Sequence, residues 1–315
     1  RLERKMDELA EGSDDSYIYN YWVKGHLGFR DPICPYTSVP ILYDNPTLRN
    51  LSQAEKAAAL LFATAETYRV FRQKGNGAYN IGPKTYSNDE LFGALASINH
   101  IAHGQDVMYI SDEISRHSLV LYKNHIYTVE VITPEGKPIP YGNLRYSVAA
   151  ILNDATPGLE VNFNTVTSEP ERAIAGNAEE YEVIKKAIAV VNLDTCAPET
   201  VLQKLYTACG DPLWFNRFHG KGTQFNVAVN GAMSMIVDHT YCDGGIEVYL
   251  VKRVGEILGE MDLTAGTDQA AYRPSVRRHR SDRYTDSHPS RPSTKRLSKK
   301  ISLSLFTLTV LMLEK

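Results

Sequence analysis

Cysteine is scarce and scattered: Cys34, Cys196, Cys209 and Cys242 are the only four in 315 residues, and no two stand in C-x-x-C spacing. That excludes a zinc ribbon and a dense disulfide framework, and it points to a reducing, intracellular setting. Long apolar runs are equally wanting. The stretch Ile301–Leu313 has thirteen residues, against the roughly 20 that a membrane helix needs, so no spanning segment is expected. The chain opens at Arg1 without a basic-then-apolar leader pattern, and because it does not begin with Met a targeting sequence can precede it. No internal repeat at a fixed period is evident. Acidic residues are nearly missing from 273–300, which carries ten Lys and Arg against Asp282 and Asp286; that net +8 leaves −11 on residues 1–272, within a total of −3. The body is acidic and the tail basic.

What is present describes a globular chain, 43% hydrophobic and 23% charged, long enough for one large domain or two modest ones. Ser52 and Glu55 form a capping box before an alanine-rich stretch, predicting a long helix to about Lys74. A second box, Ser87 to Glu90, predicts a helix carrying Leu91, Phe92 and Leu95. From Ser118 the apolar period becomes two, and "SLVLYKNHIYTVEVI" reads as two strands around Lys123-Asn124-His125, closed by the turn Pro134-Glu135-Gly136-Lys137. Helices over 142–152 and 171–186, a buried strand over 187–193 and a helix after Pro198 follow. Asn230-Gly231 joins the strands 223–229 and 232–237 in a hairpin, since Asn-Gly tolerates positive φ. Ile246, Leu250, Val254, Ile257 and Leu258 then recur at helical spacing. Helices alternating with strands make this an α/β chain.

Between the last strand and the last helix lies "VDHTYCDGGIE". A histidine at a strand end, followed by a glycine-containing loop, can face a cleft while strand and helix fix its backbone. Its unperturbed pKa of about 6.5 leaves a neutral base available near pH 7. Asp243 can orient neighbouring groups, and Gly244 and Gly245 permit conformations or approaches that a Cβ blocks. Read alone, H-x-x-x-D-G leaves two readings of His239 open, a hydrogen-bonded structural imidazole and a general base. A metal site is not expected, because no second cluster completes the shell that His239, Cys242 and Asp243 would begin. Cys242 reads as a half-buried thiol rather than a nucleophile.

Several segments taken in order resemble the choline/carnitine O-acyltransferase family. "NRFHGKGTQFNVAVNG" followed by "HTYCDGG" is similar to its Asn-Arg-aromatic segment, hairpin and histidine, with Asn216, Arg217, Phe218, Lys221, Gln224, Phe225, Gly231 and His239 in register. "YWVKGHLGFRDP", "RHSLVLYKNHIYTVEVITPEGKPI", "VTSEPERA" and "AIAVVNLD" resemble further segments, so the likeness runs from about residue 18 to 258. Departures are Gly220 in place of Asp before the lysine and Pro170 in place of Asn. Where the family has a substrate-site Tyr, the nearest alignment offers His26 across a gap.

The resemblance implies a mixed sheet with flanking helices of the CoA-dependent, chloramphenicol acetyltransferase-like α/β class. It implies acyl exchange between coenzyme A and carnitine or choline, with His239 as general base, Asp243 and Gly244 supporting its loop, and Trp22 touching substrate. Coenzyme A or acyl-CoA is then a co-substrate, no tightly bound cofactor is expected, and mitochondria or peroxisomes are the family's compartments. Residues 1–260 form the domain bearing H-x-x-x-D-G. Residues 261–315 are expected to be a low-complexity, disordered or aberrant tail with no nucleic-acid role. The family's second half, with its Ser-Thr-Ser segment and oxyanion-stabilising serine, has no counterpart after Glu260, so a truncated chain with little activity alone is expected. Two alternatives remain at this point: an oligomer of the chloramphenicol acetyltransferase type, with sites between subunits, and a non-catalytic binding module.

Overall fold

The computed structural model describes residues 2–11, 18–29, 38–73, 78–81, 83–87, 93–100, 102–159, 177–210, 216–218, 220–240, 244–268 and 272–279. In chain order these form α1 (Leu2–Glu11), α2 (Tyr19–Leu27), β1 (Ser38–Leu42), α3 (Gln53–Gln73), β2 (Ala78–Ile81), β3 (Lys84–Ser87), β4 (Ser97–His100), β5 (Val107–Ile110), β6 (His117–Tyr122), β7 (His125–Glu130), α4 (Tyr141–Leu152), α5 (Ala178–Lys185), β8 (Val190–Asp194), α6 (Val201–Ala208), β9 (Thr223–Ala228), β10 (Met233–Asp238), α7 (Gly244–Glu260) and β11 (Val276–Arg278). Seven strands make one mixed sheet in the order β1-β10-β9-β8-β6-β7-β11, with β8 parallel to both β6 and β9 and the other pairs antiparallel. The expected mixed α/β architecture is therefore the one observed.

Alanine spacing explains why α3 sits at the centre. Ala57, Ala58, Ala59, Ala63 and Ala65 are buried with Leu60, Leu61, Tyr68 and Phe71, and residues without bulk let the helix lie close to the sheet and to α4 and α7. Its start is the predicted capping box: the Glu55 carboxylate accepts from both N–H and Oγ–H of Ser52 at 2.8 and 2.7 Å. Thr200 and Gln203 cap α6 in the same way. The β6–β7 turn carries Lys123 and Asn124 at φ of 50° and 66°, the two left-handed residues of a tight hairpin. The β9–β10 hairpin differs from a two-residue turn. Ala228 pairs with Ala232 through its N–H at 2.9 Å, and only Gly231, at φ 80°, is left-handed, so Val229, Asn230 and Gly231 form a three-residue loop.

One expectation about elements changes. Ser87 is the last residue of β3; residues 88–92, on which the second expected box and the start of its helix fall, lie outside the described residues, and Gly93 and Ala94 are helical. The chain beyond Glu260 continues to pack. Asn143 Nδ2 donates to Asp268 O at 3.0 Å while Asn143 Oδ1 accepts from Asp268 N at 2.9 Å. Gly142 lets this segment approach, because a Cβ there would strike the backbone of Gly266. Val276–Arg278 then adds to the sheet as edge strand β11. Composition favoured disorder here, whereas pairing with β7 and burial of His279 against Glu180 and Thr128 hold this part in place. Residues 280–315 lie outside the described set.

A buried charge pair joins the centre of the sheet to α6. Arg217 Nη1 and Nη2 each donate to one oxygen of Asp194 at 2.8 Å. Its remaining N–H groups reach the carbonyls of Ala208, Asn216 and Thr207 at 3.2, 2.6 and 2.5 Å, so all five guanidinium donors have acceptors. Removing one partner of such a pair leaves an uncompensated buried charge, at a cost of about 3–5 kcal/mol. Arg217→Met is accordingly expected to lower the unfolding free energy by about that amount in urea melts; a change below about 1 kcal/mol would show that the pair is not a structural anchor.

Candidate active site

Strand β10 stops where its last side chain turns back on the backbone. The Asp238 carboxylate accepts the Thr240 N–H at 2.9 Å, an Asx turn that directs the chain out of the sheet. Asn99, on β4, clasps the corner by donating Nδ2 to Asp238 Oδ2 at 2.8 Å and to Thr240 Oγ1 at 3.2 Å. The Asp238 N–H meets the Gly222 carbonyl at 2.9 Å. Gly222 has to be glycine, since a Cβ would lie 2.8 Å from Ala94 O, a backbone atom. His239, half-buried, is the first residue past this clasp.

Helix α2 supplies the other wall. Leu27 buries its end, and the Leu27 carbonyl accepts the Asp106 N–H at 2.9 Å. Trp22 and His26 stand one turn apart on one face. Trp22 donates its indole Nε1–H to the His239 carbonyl at 3.2 Å, and its ring lies edge-on to the His239 imidazole, 4.9 Å between centroids. His26 packs on Trp22 at 4.4 Å and stands 5.9 Å from His239. Its Nδ1 bonds the Trp22 carbonyl at 3.0 Å, which makes Nδ1 the donor. Two expected site residues separated by 217 positions are thus in contact, although Trp22 keeps 37% of its surface exposed.

The remaining expectations fare differently. Asp243, with Cys242, lies outside the described residues. Gly244 is the first residue of α7; its φ is not left-handed and a Cβ there would meet nothing within 4 Å. Among the described residues, neither positive φ nor close approach therefore calls for glycine at 244. The described residues contain no group of three His, Cys, Asp or Glu side chains suited to a metal, and none of their helices is long and apolar enough to cross a membrane.

Two buried ionisable groups flank the corner. Burial raises the Asp238 carboxyl to about 7, against the opposing pull of the bonds from Thr240 and Asn99. Burial likewise lowers the Lys221 ammonium to about 7; its Nζ donates to the carbonyls of Ala187 and Lys185 at 2.6 and 3.1 Å. The Asn99 amide oxygen has no partner, so rotating that amide by half a turn gives a protonated Asp238 an acceptor. Sequence reading passed over Asp238, Asn99 and Thr240. An Asp ending a strand with Thr two residues later is an Asx-turn signal, whereas nothing local announces Asn99.

With this geometry in view, comparison with known proteins is informative. The sequence profile described as Choline/Carnitine o-acyltransferase matches residues 1–305, beyond the 18–258 that the individual segments suggested. A Mycoplasma pneumoniae protein named "Putative acetyltransferase" is 28% identical over 254 residues, covering 78% of this chain and 42% of that protein. Carnitine O-acetyltransferase of Rattus norvegicus is 22% identical, over 84% of this chain and 46% of the relative. Mitochondrial carnitine O-palmitoyltransferase 2 of Mus musculus is 25% identical, over 53% and 27%. The chain therefore spans less than half the length of these curated relatives. Among solved structures, a chloramphenicol acetyltransferase is similar over 79% of this chain and 96% of its own, with 14% identity and a TM-score of 0.34.

The Asp238 shift has a definite sign in stability. Its folded pKa lies above the ordinary value of 3.8, so between about pH 4 and 7 the folded state binds more protons than the unfolded one. This residue's contribution is fully present below that window and is lost as pH rises through it. Denaturant melts from pH 4.5 to 8 are expected to show wild type losing stability relative to Asp238→Asn as pH rises; a difference independent of pH would place the carboxyl at its ordinary value.

Proposed function

The chain belongs to the choline/carnitine O-acyltransferase family, and from that premise we propose that it serves O-acyl transfer between coenzyme A and an alcohol, with His239 as general base. The observation that carries the reading is the contact of Trp22 with His239: an imidazole at the mouth of a strand, its backbone held by an indole N–H and its ring walled by two further rings. Rings on two sides restrict rotation of the imidazole, which suits a base that must meet a hydroxyl in one direction.

In the proposed step the neutral imidazole takes the proton of the alcohol hydroxyl. The oxygen attacks the thioester carbonyl, the carbon–sulfur bond breaks, and the thiolate leaves as coenzyme A after receiving the proton from the imidazolium. No acyl-enzyme intermediate is required. The reverse reaction uses the same nitrogen on the thiol. Trp22 offers an apolar face beside the reacting oxygen and, being partly exposed, a surface for the alcohol. Carnitine, followed by choline, is the acceptor class that the family and relatives favour. Because those relatives include both an acetyl- and a palmitoyltransferase, the acyl donor is assigned only as a coenzyme A thioester. Asp243 and Gly244 are assigned to shaping the loop between β10 and α7.

General acid–base catalysis contributes about 10²–10⁴-fold. His239→Ala is thus expected to lower acetyl transfer from acetyl-CoA to carnitine or choline by at least about 100-fold, and Trp22→Phe, which keeps the ring but removes the donor, by about 10-fold or less. The release of free thiol reports the rate. Equal rates above background for wild type and His239→Ala would contradict the assignment.

A further inference from the structure

Strand β10 runs antiparallel to β9, which runs parallel to β8 and β6 through successive neighbours. The beginning of β6 therefore lies at the same end of the sheet as His239, three strand positions away, or about 14 Å at roughly 4.8 Å per strand. A cavity of about 310 Å³ opens there, lined by Ser115, Arg116, His117, Glu130, Lys186 and Arg277 among others, large enough for a small metabolite.

Its walls hold donors left unmatched among the described residues. Ser115 is 5% exposed and its Oγ has no partner; Arg116 Nη1 is buried without one as well. Arg116 Nη2 stands 3.4 Å from Glu130 Oε1, and the same guanidinium acts on the Tyr272 hydroxyl. Leaving a buried donor unpaired is unfavourable, more so when it is charged, so a ligand that brings acceptor oxygens recovers that loss. The acidic groups nearby are largely committed. Glu130 accepts from the Tyr272 hydroxyl and the Ser275 N–H at 2.8 and 2.9 Å. Glu113, which also lines the cavity and whose side chain is 74% exposed, binds Lys186 at 2.8 Å. Arg277 bonds Glu180 at 3.1 Å. His117 donates Nε2–H to the Val183 carbonyl at 2.8 Å, leaving Nδ1 as an acceptor in the neutral ring. Burial keeps that ring below its ordinary pKa. Arg116, Lys186 and Arg277 are thus each paired with a carboxylate, Glu130, Glu113 and Glu180, and Ser115 Oγ and Arg116 Nη1 remain without partners among the described residues, the latter one half of an arginine fork that matches a planar or tetrahedral oxyanion.

We propose that this cavity is a binding site for a small molecule carrying a phosphate or carboxylate group, seated on Ser115 Oγ and Arg116 Nη1, with Lys186 and Arg277 at its rim. Part of the wall comes from β11, so the basic segment contributes to the site through Ser275 and Arg277. The site is independent of the acyl-transfer reading.

Titration calorimetry on the whole chain tests it, with inorganic phosphate and succinate as separate probes. At least one probe is expected to bind with a Kd below about 10 mM, and the affinity to fall about 10-fold or more in Arg116→Gln and several-fold in Ser115→Ala. Arg116→Lys, which keeps the charge but not the fork, guards against misfolding of the glutamine variant and should weaken binding less. Binding of phosphate alone assigns a phosphate ligand; binding of succinate alone assigns a carboxylate. His239→Ala should bind as wild type does. Absence of binding by both probes in wild type, or affinities unchanged in Arg116→Gln, would overturn the proposal.

Discussion

The register of β10 is the constraint on which the candidate site depends. Side chains alternate across a strand, so a slip of one residue would turn Asp238 to where His239 now stands and bury the imidazole. Three features hold the register. Gly231 accepts the left-handed φ of the hairpin loop, Ser38–Leu42 pairs residue for residue along the outer edge of β10, and the Asp238 clasp ends the strand at one position. None of these groups touches a substrate in the proposed reaction. They decide whether there is a base at the mouth of the strand at all.

Buried polar groups run through the part of the sheet that carries this strand. Asp194 with Arg217, Asn192 with Asn226, Asp238 with Asn99, and Lys221 with two carbonyls all lie in the interior around β8, β9 and β10. An apolar core would be cheaper, since burying such groups is unfavourable unless each is hydrogen-bonded. Their geometry suggests what is gained: directional bonds tie loops to strands, and a loop tied by five guanidinium donors has one arrangement. Where a charge is buried without a counter-charge, as at Asp238 and Lys221, the pKa moves toward neutrality instead.

Much of the fold was legible in the sequence, because local signals there have strong physical causes. The Ser52–Glu55 box, the Thr223–Asp238 hairpin and the apolar stripe of α7 needed no tertiary knowledge. Long-range polar pairing left no periodic trace, so Asn99 as the partner of Asp238 was invisible, and Trp22 entered only through family resemblance, as a residue touching substrate. The chain beyond Glu260 was misjudged in part for the same reason. Its charge and Ser/Pro content signal disorder, yet a three-residue strand needs only an open sheet edge, and β7 offers one to Val276–Arg278. Gly244 is the reverse case, a residue prominent by motif that meets no steric demand among the described residues.

The placement of His239 against Trp22 is the claim beneath the functional reading, and proximity of the two rings can be measured without any substrate. Nuclear Overhauser spectra of histidine- and tryptophan-labelled protein, assigned with Trp22→Phe and His239→Gln, read it directly. With ring centroids 4.9 Å apart and edge-on, cross-peaks between indole and His239 imidazole protons are predicted, and both single variants should abolish them. Spectra in which the Trp22 indole contacts only aliphatic protons, with no imidazole cross-peak, would contradict the account.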